Sequence, residues 1–464
     1  MESEATHPYI PSSTSDAKAQ LMKAIGISSI EDLYSDVPQE VKLRKRLNLP
    51  KRASELEVRR HVEHLLSQNR DTSKVVSFLG GGCWNHYVPA AVSEISSRAE
   101  FVTSYTPYQP EVSQGMLQAL FEYQSMICEL TAMDYANSSL YDWASALGEA
   151  ARMATRVTHR DEFLIPRHIH PDRRATLKAY AEPAGIKVIE VKNDNMTGQI
   201  DLDDLESKIT NNSAAVYLEN PSYLGCLQMN ARVISEMAHS SGALFVVGVD
   251  LTSLGILKPP GEYGVDIAIA EGQCLGGAMN YGGPLLGVFA CRRDELLRQM
   301  PGRIIGMTTT KDRTQRAYCM ALQTREQHIR RERATSNICT NEALCAVSAA
   351  AYLSLLGPSG IRELGTTILS KTYYSINELK KIKRIKVPLM QAEHFKEFTV
   401  SFNESGKKLK DLEIDLLNRG IQIGAPLTES IPELGESAVF CVTETHSKED
   451  IDMLCTVLAE VLEG

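Results

Sequence analysis

The sequence predicts an α/β fold in which a large domain, built on a mainly parallel sheet with helices on both faces, precedes a smaller C-terminal α+β domain. Two observations carry that expectation. Nearly continuous apolar runs at 214–218 (AAVYL) and 243–249 (ALFVVGV) flank a helical stretch at 231–241 (ARVISEMAHSS). Strands buried on both faces, with a helical crossover between them, pair in parallel. An alanine-rich helical stretch near 340–380, broken by GPSG at 357–360, then separates this region from roughly the last 80 residues, where strand and helix patterns alternate.

The elements follow in order. Residues 1–75 read as a charged helical arm, with Leu56, Val58, Val62 and Leu65 at helical spacing, Ser54 as a start signal and Asn69 as a stop. Such an arm is too thin to bury a core alone and is expected to wrap another domain or a partner subunit. Residues 76–325 form the large domain, with further strands at EFLI, KVIEV, DIAIA and LLGVFAC. Residues 326–464 hold the linking helix and the small domain: strands EFTVSF, IQIG and AVFCVTE, and helices KLKDLEIDLLNRG and SKEDIDMLCTVLAEVL. Ser447 and Asp450 resemble a capping box ahead of the last helix.

Composition narrows the classes. The 464 residues are 43% hydrophobic and 23% charged, ordinary for a globular protein, and a formal charge of −9 argues against generic nucleic-acid binding. Ten cysteines are scattered without a CxxC pair, as expected of reduced thiols in the cytoplasm. The polar start is unlike a signal peptide, and no apolar run approaches the ~20 residues of a membrane helix. A cytoplasmic globular protein is expected.

The order of parts resembles the pyridoxal-phosphate-dependent transferase-like (fold type I, aspartate-aminotransferase-like) organisation, although architecture alone does not give a function. A site of that kind needs a carboxylate for the pyridinium nitrogen, a lysine for the imine and a helix N-terminus for the phosphate. Asp250 ends the apolar run ALFVVGVD, at a strand carboxyl end where open α/β sheets place ligands. An aspartate there can equally do no more than cap a loop. After the next strand the lysine is due, but the chain reads Gly272-Gln273-Cys274 within EGQCLGGAMNYGGP (271–284). An amide forms no imine. Lys258 lies before that strand and Lys311 well beyond it, so neither stands at the expected place.

Other chemistries fare worse. FLGGGCWNHY (78–87) lacks the GK[ST] of a phosphate loop and reads as a tight turn. RHIHP (167–171) offers two histidines and no third metal ligand, so no metal site is expected. Cys83 and His86 are close in sequence, which is not the spatial relation that a thiol nucleophile needs, and a buried structural thiol is expected.

Two longer stretches go beyond architecture. EFVTSYTPYQPEVSQGMLQALFEYQSMICELTAMDYANSSLYD (100–142) and LQTREQHIRRERATSNICTNEAL (322–344) closely resemble the glycine-cleavage-system P-protein family, glycine dehydrogenase (decarboxylating), in its split form. There two homologous subunits replace one fused chain, and the whole of this chain resembles the first, or alpha, subunit. The resemblance implies that pyridoxal phosphate is carried by the partner beta subunit, whose His-Lys-Thr-Phe run supplies the lysine. Counting back from Gly283-Pro284 sets Gln273 opposite that lysine. The implied complex decarboxylates glycine and passes the aminomethyl unit to the lipoyl arm of the H-protein, with this chain completing the beta subunit's pocket.

Tyr105, Thr106, Tyr108, Gln109 and Gln114 are the residues expected to complete it, through hydroxyls and amides on a segment that two X-Pro pairs hold extended. They can equally pack a subunit interface, where aromatics are enriched. Arg325, Arg330, Arg331 and Arg333, with Glu326 and Glu332, make either a solvated face or a contact with the partner chain or the acidic H-protein. Two positions depart from the family pattern: Ala132 stands where glycine is expected, and Trp143 where a small residue is usual. Trp143 falls near the helix start that corresponds to the phosphate cradle, where its bulk would close a vestigial pocket around Asp250. Two other readings stay open: a stand-alone pyridoxal-phosphate lyase or transferase using a displaced lysine, and a structural scaffold of the complex.

Overall fold

The structure is a computed structural model that describes residues 9–45, 47–104 and 107–463. The chain divides into two compact units, 1–69 and 70–464. In the first, helices span Ser15–Ile25 and Glu55–Ser67. Ser54 starts the second through a reciprocal cap: its hydroxyl accepts from Glu57 N at 3.4 Å, and the Glu57 carboxylate accepts from Ser54 N at 2.7 Å. Neither helix buries a residue. Leu56, Val58, Val62 and Leu65, the expected apolar stripe, remain 44–55% exposed.

The second unit has two lobes. Strand β1 (Val76–Ser77) opens it, and the large lobe follows with β2 (Tyr135–Ala136), β3 (Glu162–Pro166), β4 (Lys187–Val191), β5 (Ser213–Asn220), β6 (Leu244–Asp250), β7 (Ile267–Glu271) and β8 (Gly287–Cys291). They form one sheet in the order β2-β8-β7-β6-β5-β3-β4. Strands β3 to β7 pair in parallel, because helices such as Ala231–Ser240 carry the chain back between them. The run LLGVFAC gives β8, which is antiparallel to both neighbours. Its link from β7 contains no helix, so the chain simply turns back. A hairpin of β9 (Ile304–Thr309) and β10 (Arg316–Ala321) follows, with Lys311 in its exposed turn.

The small lobe is a sheet of β11 (Glu397–Ser401), β13 (Ala425–Pro426) and β14 (Ser437–Cys441), while β12 (Ile421–Gln422) pairs with β1. That pairing brings Phe78 into the small-lobe core beside Phe398 and Phe440. The helix Ala343–Leu379 joins the lobes: Ala346, Val347 and Tyr352 pack in the large core, and Ile376 and Leu379 in the small one. It is long and apolar enough to cross a membrane by length and composition, contrary to the run-length reading. Gly357 (φ 59°, ψ −176°) ahead of Pro358 breaks it in two, at the expected GPSG. Ser447 and Asp450 do close a capping box, with bonds of 2.7 and 3.1 Å.

Candidate functional site

Strands β6 and β7 end side by side, with Asp250 in register with Glu271. The residues at and beyond these ends meet the small lobe. Asp250 is buried, and its Oδ1 accepts from Thr252 N at 2.9 Å and Thr252 Oγ1 at 2.6 Å. Its Oδ2 lies 2.5 Å from Nζ of Lys396, a lysine with no exposed surface at the start of β11. Burial works against a charge on Asp250, but the Lys396 ammonium outweighs it and holds the carboxyl below the usual carboxylate range. Burial likewise opposes the lysine's charge, and Asp250 more than offsets it, so Lys396 stays protonated. Lys396 also donates to His86 Nε2 at 3.3 Å, and His86 Nδ1 donates to Glu444 at 2.8 Å.

Gln273 is buried immediately after β7. Its side-chain oxygen accepts from Trp84 N at 3.0 Å, and its amide nitrogen donates to Trp84 O at 3.0 Å and Gly277 O at 2.7 Å. The amide is therefore fully engaged with main chain. The indole of Trp84 lies under Lys396, 3.5 Å from Nζ to the ring centroid, and its Nε1 donates to Glu397 at 2.8 Å.

The helix Trp143–Thr158 begins beside this pocket. Its first amides already have carboxyl partners within the chain: Trp143 N donates to Glu271 at 3.2 Å and Ser145 N to Asp142 at 2.6 Å. Trp143 packs its indole against Gly248 on β6, donates Nε1 to Tyr217 at 3.0 Å, and carries the Arg173 guanidinium 3.6 Å above its ring. A cleft of about 290 Å³ remains, lined by Gly82, Trp143, His170, Arg173 and Glu271 among others.

Glu271 accepts from the backbone N–H groups of Trp143, Gln273 and Leu286, yet burial pushes its carboxyl up to about 7. Between the ordinary value of 4.5 and 7, the folded protein keeps a proton that the unfolded chain has lost. Stability from this group is therefore highest in acid and falls as pH rises through that window, by about 3 kcal/mol in total. Urea midpoints measured from pH 5 to 8 should show this decline, and Glu271→Gln should flatten it. An unchanged slope in the variant would remove Glu271 as its source.

Pyridoxal phosphate in this fold needs a carboxylate free for its ring nitrogen, an amine for its aldehyde and helix amides for its phosphate. Here Asp250 holds Lys396, Gln273 holds Trp84, and Glu271 and Asp142 hold the helix amides. These residues do not fit the group. Lys396 does not replace the missing amine: it is protonated, and it stands at the Asp250 end of the pocket.

The residues of the 105–114 segment form a separate group. Tyr105 and Thr106 lie outside the described residues. The Tyr108 hydroxyl accepts from Arg303 at 2.9 Å and lies 3.4 Å from His328 Nε2, so the two family-like stretches do meet here. Gln109 is exposed at the start of a 3-10 turn, Pro110–Val112. Gln114 is engaged in structure: its amide donates to Pro110 O and Tyr318 O and accepts from Tyr318 N, tying the segment to β10. Of the arginine run, Arg330, Arg331 and Arg333 are exposed, whereas Arg325 bonds the carbonyls of Met300 and Gly302.

The remaining sequence candidates part company. Burial pushes the Cys83 thiol up to about 11, and its nearest polar partner is Met279 O, not His86. His168 faces Glu433, while His170 caps the helix Pro171–Ala181. Sequence reasoning missed Lys396, Trp84 and Arg303. The one local signal for Lys396 was a lysine set between aromatics in HFKEF, at the mouth of a buried strand.

The glycine cleavage system P-protein family model matches residues 7–458. Among similar proteins is one from Staphylothermus marinus, 46% identical over 98% of both chains, named probable glycine dehydrogenase (decarboxylating) subunit 1. One from Thermococcus onnurineus with the same name is 49% identical over 98% of this chain and 99% of its own. A crystal structure of glycine decarboxylase (P-protein) of the glycine cleavage system, in inhibitor-bound form, superposes with a TM-score of 0.86 at 37% identity, over 97% of this chain and 98% of that one. A NifS-like protein shares the fold, with a TM-score of 0.63 at 14% identity.

Proposed function

This chain belongs to the glycine cleavage system P-protein family, and we propose from that premise that it is subunit 1 of a split glycine dehydrogenase (decarboxylating), required for the reaction but carrying no cofactor. The observation that supports this most is Gln273. It occupies the position after β7 where the imine-forming lysine is due, and its amide is locked to Trp84. Pyridoxal phosphate is then the partner beta subunit's, where it serves as electron sink for the decarboxylation of glycine. The aminomethyl unit leaves on the lipoyl arm of the H-protein. The complex works in the cytoplasm.

What this chain supplies is a wall and an entrance. Tyr105, Thr106, Tyr108, Gln109 and Gln114 are the residues assigned to completing the partner's pocket, and Gln114 ties its part of the segment to β10. Arg303 holds the Tyr108 hydroxyl in place from behind. The exposed Arg330, Arg331 and Arg333 offer cations to an acidic partner.

Two measurements test the reading. Mixing the chain with pyridoxal phosphate and reducing with borohydride should label no single lysine; specific labelling of one, Lys396 included, would favour the stand-alone enzyme instead. After reconstitution with the beta subunit, exchange of the glycine carboxyl with bicarbonate should fall about tenfold in Tyr108→Phe, the cost of one hydrogen bond to a charged group, with the complex still assembled. If exchange needs the chain but ignores every substitution in 105–114, the chain is a scaffold.

A further inference from the structure

We propose that Lys396 and Trp84 are this subunit's built-in substitute for a pyridine cofactor, a resident cation and ring that fill the pocket between Gln273 and Asp250 and clasp the small lobe to the large one. The inference rests on the reading that this chain takes no cofactor, and adds what stands in its place.

The two ends of such a pocket are the carboxylate that meets the ring nitrogen and the position that would carry the imine. Here one unbroken chain of contacts joins them. Gln273 grips both main-chain polar groups of Trp84, the Trp84 ring carries the Lys396 ammonium on its face, and that ammonium meets Asp250. An indole face and a buried ammonium satisfy each other without water. Asp250 receives the positive charge that a pyridinium would otherwise bring. Between Asp250 and Gln273 these side chains stand buried, with Trp84, Asp250 and Gln273 each at most 6% exposed and Lys396 not at all, and the remaining cleft of about 290 Å³ is lined by other residues.

The same contacts cross between the lobes. Asp250 ends β6 and Gln273 follows β7 of the large sheet, while Lys396, Glu397 and Glu444 belong to the small lobe. The 80–87 segment lies between and is bonded to both. Gly81 N donates to Glu397 at 2.6 Å, Trp84 N to Gln273 at 3.0 Å, and Tyr87 N to Glu444 at 2.7 Å. Lys396 is the cation at the centre of this otherwise anionic set, facing Asp250, Glu397 and, through His86, Glu444. A clasp of this kind holds one interlobe arrangement permanently, which suits a subunit that shapes a neighbour's pocket.

The test uses the full-length chain and pyridoxine, a probe with neither aldehyde nor phosphate, so that only the ring site is read. Lys396→Ala should bind pyridoxine about tenfold more tightly than wild type or more. The double variant Lys396→Ala, Asp250→Asn should lose that gain, and Lys396→Met, which keeps the volume filled, should not show it. Hydrogen exchange in the double variant Lys396→Met, Asp250→Asn, which keeps the volume filled and strands no charge, gives a second readout that needs no ligand. The amides of Gly81, Trp84 and Tyr87 should exchange about tenfold faster than in wild type, with the interiors of β5 and β6 unchanged. Equal pyridoxine binding by wild type and Lys396→Ala, or a gain that survives Asp250→Asn, overturns the ring-site assignment. Unchanged exchange at the three amides overturns the clasp, and decides the matter should Lys396→Ala not fold. Borohydride labelling of the wild type would instead sink the cofactor-free reading itself, so the two failures are told apart.

Discussion

Lys396→Ala should lower folding stability by about 3–5 kcal/mol, the range for stripping a buried charge of its partner. The residue looks dispensable by type, since lysines are mostly solvated, but this one has no exposed surface and faces Asp250 at 2.5 Å. Without it the carboxylate is left in a site whose only other donors among the described residues are the Thr252 amide and hydroxyl. The loss belongs to the broken pair, not to the pair as such. Removing both charges, as in Lys396→Met with Asp250→Asn, should therefore recover most of the stability. Urea unfolding of the three proteins checks this. A single-variant cost under about 1 kcal/mol would mean that the pocket relaxes enough to admit water to Asp250.

Arg173→Met should cost a comparable amount, about 3–5 kcal/mol, for the same reason, since it too removes a buried cation and strands a buried carboxylate. Arg173 and Glu219 meet at 2.9 Å with side chains only 7% and 1% exposed. Tyr217 already donates to the same carboxylate oxygen, and the other oxygen has no hydrogen-bond partner among the described residues. The variant also removes the guanidinium from the face of Trp143. Glu219→Gln in the Arg173→Met background should restore part of the loss. Disrupting the Arg232–Glu236 pair, with side chains 82% and 69% exposed, should change stability by no more than a few tenths of a kcal/mol. Thermal unfolding of the set discriminates burial from mere charge pairing: equal losses at both sites would defeat the argument.

Much of the large lobe was legible from pattern. Runs such as AAVYL and ALFVVGV are apolar on successive residues because their strands are covered on both faces, and the helix between them dictates parallel pairing. The direction of β8 was not legible in the same way. Its apolar run resembles the others, and only the absence of a crossover helix before it distinguishes an antiparallel return. The break at GPSG was visible because glycine and proline act through the local backbone. The long helix nonetheless serves two cores, and that depends on what packs against each half.

For the site, the sequence by itself determined two local facts: a carboxylate at the end of β6, and an amide in place of a lysine after β7. Each follows from one residue type at one place along a strand, with no need of distant partners. Tertiary structure alone decided what those residues do instead. Lys396 lies well over a hundred positions from both, on the other lobe, and Trp84 precedes them by a similar distance. Burial turns that distant lysine from a solvated surface charge into the partner of Asp250, because a charge removed from water must find its counter-charge in whatever the fold brings near it.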